Sequence, residues 1–81
     1  MNLYLISQDE NIGYDTYDLA VVAAENEDIA RNVNPCNGKP INWKNPEDTW
    51  CPKSENVCVK YIGKAVKGTV RGVICASFNA G

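Results

Sequence analysis

Three cations, Lys64, Lys67 and Arg71, fall in the ten-residue stretch GKAVKGTVRG that Gly63 and Gly72 bound. Gly63 and Gly68 have the separation of the outer glycines of a phosphate-binding loop, and Thr69 follows the second. The lysine that must come directly after that glycine is missing, and strand rather than helix is expected behind it, so the motif is rejected. What remains is a basic turn, read as a β-hairpin tip, that can hold a phosphate by charge and backbone N–H groups. Tyr14, Tyr17, Trp43 and Trp50 add four aromatic faces. Stacking on such a ring supplies about 1–3 kcal/mol per base, enough for two rings to hold a nucleotide. The competing reading of the tryptophans is packing on a small core, with their indole N–H groups bonded locally. Asparagines at 32, 34, 37, 42 and 45 suit turns and also bring amides that can read a polar ligand.

Catalysis finds little in the sequence. There is no histidine, the commonest general base, and no Gly-x-Ser-x-Gly elbow surrounds Ser7, Ser54 or Ser77. Asp15 and Asp18, three apart, would face opposite sides of a strand, a poor geometry for paired acid–base work. Cys51 has only Lys53 nearby to lower its pKa, and reads as a buried or inert thiol. No Cys-x-x-Cys pair occurs among Cys36, Cys51, Cys58 and Cys75. A metal site is therefore not expected, nor is any cofactor. The chain reads as a binder and not as an enzyme.

Composition sets the remaining bounds. Residues 1–81 support one domain with a thin two-layer core. The opening residues lack the basic region and long apolar stretch of an export signal, which points to the cytosol and to reduced thiols. No apolar run approaches the roughly 18–20 residues of a bilayer span, so no membrane association is expected. The net charge of −2 is polarised: residues 1–31 carry seven acids and one base, whereas residues 56–81 carry four bases and no acid. A net-acidic chain excludes non-specific binding of nucleic acid polymer, but a local cationic patch can attract a small anion. Alternatively, the two ends neutralise each other across the fold.

The elements that must position these groups follow from periodicity. Leu3 to Gln8 is a short apolar run and reads as a strand; Leu19 to Ala24, continuous with Tyr14–Asp18, reads as a second. Asn26 is a helix N-cap, and Pro35 closes the helix after about two turns. Asn34 to Glu55 contains all four prolines and both tryptophans. It reads as an ordered irregular lobe folded over the core, a ligand or a partner. Asn56 to Ile62 alternates with period two, and Val73 to Phe78 gives a last strand with Ile74, Ala76 and Phe78 on one face. The expected fold class is α+β: a four-stranded, mainly antiparallel sheet in ββαββ order, with one short helix and the Pro/Trp-rich lobe. Such a sheet leaves one face and two edges incompletely covered. Trp43 and Trp50 can close that face as a lid, and self-association through an edge strand is the other solution, so a homo-oligomer is expected.

The blocks Tyr4–Gln8, Gly13–Asp18, Ala20–Glu25 with Ala30–Asn32, and Gly72–Gly81 resemble small uncharacterised proteins of tailed bacteriophages. The resemblance covers about half of the chain, and it implies a short accessory gene and a location in the host-cell cytosol. In size and economy the chain is similar to anti-defence sponges, which sequester the nucleotide signals of bacterial immune systems. The expectation is a non-enzymatic protein that binds a small nucleotide-like ligand. Lys64, Lys67 and Arg71 would meet phosphates, and Tyr14, Tyr17, Trp43 or Trp50 would stack on a base. The alternative is an inhibitor that docks on a host protein through the tryptophan lobe.

Overall fold

Leu3–Ile6 and Leu19–Ala24 lack the polar alternation of a solvated strand. In the computed structural model, which describes residues 1–80, they form the centre of one sheet. Strand β1 (Asn2–Ser7) pairs antiparallel with β2 (Thr16–Ala24), in register from Asn2↔Ala24 to Ser7↔Leu19. Strand β3 (Cys58–Lys64) pairs with the free side of β1, and β4 (Gly72–Asn79) with the free side of β2. The order is β3-β1-β2-β4, antiparallel throughout, with one short helix. The α+β fold class read from the sequence holds.

One expectation fails. Gly63–Gly72 is not a hairpin tip, because β3 and β4 are opposite edges of the sheet. β4 pairs with the vacant side of β2 and leaves the outer edge of β3, where a hairpin would have placed it, unpaired by the other strands. Residues 65–71 therefore cross the sheet from edge to edge, about 14 Å at three strand spacings. Seven extended residues reach about 23 Å, so the crossing is unstrained. It is pinned where the Ala65 N–H donates to the Met1 carbonyl at 3.1 Å.

Tyr4, Ile6, Ala20, Val22 and Ala24 form the inner face, and the helix and lobe close over them. Helix α1 (Glu27–Arg31) starts where Asn26 Oδ1 accepts from the Ile29 N–H at 2.8 Å. It is shorter than the two turns expected and ends at Asn32, ahead of the bridge between Val33 and Pro40. Three asparagines then shape the lobe by one device, a side-chain oxygen accepting from the backbone N–H two residues on. The pairs are Asn34–Cys36, Asn37–Lys39 and Asn42–Lys44. The lobe covers the protein's own core, which Trp50 and Cys51 complete.

The alternation expected in the last strand is interrupted. A bulge shifts the register between Val21 and Val22, whose partners are Cys75 and Val73. The extra residue is Ile74, 54% exposed, while Val73 packs against the core in its place.

Candidate ligand-binding site

The four aromatic candidates divide. Trp50 is 3% exposed, and its ring belongs to the core, with the indole nitrogen unpartnered among the described residues. Trp43 is half-buried, and its Nε1–H donates to Asn32 Oδ1 at 2.6 Å. Tyr17, at the start of β2, is half-buried with its ring 4.8 Å from that of Phe78. Burial, and then the neighbouring Cys36 thiol, raise its phenol pKa above the ordinary value. Tyr14 stands in the β1–β2 turn, 80% exposed.

The three cations lie along one end of the sheet and do not converge. Lys64 closes β3, Lys67 sits in the turn of the crossing segment, and both are exposed. Arg71 immediately precedes β4, at the far edge. Its guanidinium grips Glu25, with Nε donating to Oε1 at 3.0 Å and Nη2 donating to Oε2. That hydrogen bonding lowers the Glu25 carboxyl pKa and raises that of Arg71.

Arg71 also borders a cleft of about 160 Å³ lined by Asp28, Ile29, Asn32, Val33, Gly38 and Pro40. Helix α1 gives one wall, and the turn between Val33 and Pro40 gives the other. Gly38 holds a left-handed φ of +76°, and a Cβ built there would lie 3.6 Å from Gly72 Cα, so this turn is seated on the start of β4. Asn32 is locked from two sides, accepting from Trp43 and donating through Nδ2 to the Asp28 carbonyl at 2.8 Å. The cleft thus offers an apolar patch (Ile29, Val33, Pro40), a carboxylate, an amide and a guanidinium. Such a set suits a small polar ring that carries an anionic group. Arg71 lines the cleft and Trp43 lies behind Asn32; the other five sequence candidates lie elsewhere. Asp28, Ile29 and Val33 fall between the Asn26 cap and Pro35, where the sequence pattern signals only a helix. The contact between Gly38 and Gly72 that makes a cleft of them spans 34 positions and leaves no local signal.

Two more open clefts lie elsewhere on the surface. One, about 300 Å³, is acidic, with Glu10, Glu47 and Asp48 beside Pro46, Pro52 and the edge of Trp50. The other, about 440 Å³, lies between Ile12–Tyr14 and Asn79–Ala80. Cys51 is buried, its Sγ 3.2 Å from the Lys53 carbonyl oxygen and 3.4 Å from Glu10 Oε2. Burial raises its pKa and keeps it as a thiol. Among the described residues no cluster of His, Cys, Asp or Glu could hold a metal ion, and no helix is long and apolar enough to cross a membrane. No family model, curated protein or solved structure matches the chain.

Proposed function

We propose that this is a non-enzymatic phage accessory protein of the host-cell cytosol that binds and sequesters a small nucleotide-derived signal. The observation that carries the reading is the Arg71 cleft. Ile29, Val33 and Pro40 offer an apolar seat to a sugar or base edge, while Asp28 and Asn32 offer partners to its hydroxyl or amino groups. Arg71 meets the phosphate by exchanging Glu25 for it, a bidentate contact for which a guanidinium is suited. At about 160 Å³ the cleft takes a fragment of a nucleotide. The remaining phosphates lie along the crossing segment, where Lys67 and Lys64 add attraction. The rival reading, an inhibitor docking through the tryptophan lobe, has less support, since Trp50 is spent on the core and Trp43 is half covered.

Native mass spectrometry and calorimetry against ADP-ribose and cyclic oligonucleotides test this. Binding of one member is expected, weakened about 10- to 100-fold in Arg71→Ala, the loss of one charge-assisted contact. Glu25→Gln frees Arg71 and is expected to tighten binding. Affinity unchanged in Arg71→Ala and in a Lys64→Ala, Lys67→Ala double variant would reject the assignment.

A further inference from the structure

An antiparallel sheet with one face in water alternates apolar and polar residues along its strands, whereas strands covered on both faces read as continuous apolar runs. β1 and β2 are of the second kind. Leu3, Leu5, Leu19 and Val21 alternate with the inward-facing Tyr4, Ile6, Ala20 and Val22, and the register Leu5↔Val21 and Ser7↔Leu19 places them on one common face. None of these four packs against the core, which the helix and lobe complete from the other side. The edge strands extend the same face with Cys58 and Lys60 beside Ser7 and Leu5, and with Ser77 and Cys75 beside Leu19 and Val21. Lys60 is the one charged side chain in the set.

We propose that this face packs against the same face of a second copy of the chain, giving a two-layer sheet sandwich. The choice of a second copy follows from charge and area. A face with a single cation per copy repels its own copy little and gives a charged partner little to hold. Lys60 lies on an edge strand, from which its long stem carries the ammonium out to water. Four strands at about 4.8 Å, over some six residues at about 3.3 Å, give roughly 400 Å² per copy in projection, and more as accessible surface. Two copies together then bury about 1,000 Å², the size at which specific interfaces begin. Stacked sheets stand about 10 Å apart with their strands roughly aligned. This inference does not depend on the ligand.

Sedimentation velocity on the full chain between 1 and 200 µM tests the proposal. A species of twice the 8.9 kDa chain mass is expected. Leu5→Lys and Val21→Lys are expected to yield monomers with unchanged circular dichroism. If either lysine variant fails to fold, Leu19→Ser, at a residue 39% exposed, is expected to weaken the dimer at least 10-fold. Thiol alkylation gives an independent reading, because Cys36, Cys58 and Cys75 are all exposed in the single chain. Dimerisation is expected to slow Cys58 and Cys75 at least 10-fold and to leave Cys36 unchanged. A monomer at every concentration overturns the proposal, as does a dimer indifferent to Leu5→Lys and Val21→Lys.

Discussion

Gln8 determines the shape of the β1–β2 turn with a single side chain. Its Nε2 donates to the carbonyls of Asn11 at 2.7 Å and Tyr17 at 2.9 Å, while Oε1 accepts from the N–H groups of Glu10 and Asn11. The residue is buried, so these partners have little water to turn to. Gln8→Leu, of similar volume, leaves them unpaired and is expected to cost about 2–3 kcal/mol. For a chain of this size that lowers Tm by roughly 10–20 °C in a thermal melt. Glu25 makes a prediction of opposite character. Arg71 holds its folded-state pKa below the ordinary carboxylate value, so the pair's contribution is complete above that range and vanishes as pH falls through the lowered value. The stability difference between the protein and Glu25→Gln should therefore be present near pH 7, begin to shrink below about pH 4.3, and vanish once pH has passed the lowered value. Urea titrations at several pH values would show it; a difference independent of pH contradicts the pairing. At this scale the sequence was only partly legible. Arg71 stood out as a cation in a basic turn, but its pairing with Glu25, 46 positions away, is invisible to local pattern. Trp50 looks the same as Trp43 in sequence, and only the packed lobe separates the core ring from the half-exposed one.

The elements were more legible than their arrangement. Both central strands, the Asn26 cap and the last two strands follow from apolar runs, alternation and turn residues, all local properties. The bulge at Ile74 and the edge-to-edge crossing do not, because each depends on pairing between strands far apart in the chain. Helix α1 is only five residues long, too short to persist alone, and it is held by its ends. Asn26 caps the first turn. At the other end Arg31 donates through Nη1 to the carbonyls of Ser54 and Val57, tying the helix to the chain entering β3. Asn26→Ala is expected to cost about 1 kcal/mol and to lower Tm by a few degrees. The effect should be read on the protein with no nucleotide added, since α1 also walls the Arg71 cleft. A Tm unchanged within a degree would mean that Arg31 and the lobe alone fix the helix.

At the scale of the whole molecule, the charge polarity of the sequence is folded into alternation. The acidic N-terminal third supplies the two central strands, and the basic C-terminal third supplies both edges and the strap between them. Among the described residues, neutralisation across the fold is realised at one place, the Arg71–Glu25 pair, while Lys64 and Lys67 stay exposed. The topology also sets an order of events in time. β2 meets β1 across a turn of eight residues, but its other partner, β4, lies beyond residues 25–71. The sheet must therefore grow outward from a local hairpin toward two distant margins, and closing such long loops is what slows folding. During that interval β2 presents an open, uncharged backbone row to any chain nearby, so the early hairpin is where misassembly would begin. Since β4 ends that exposure, the rate at which the crossing segment delivers it governs how much newly made chain reaches the native state.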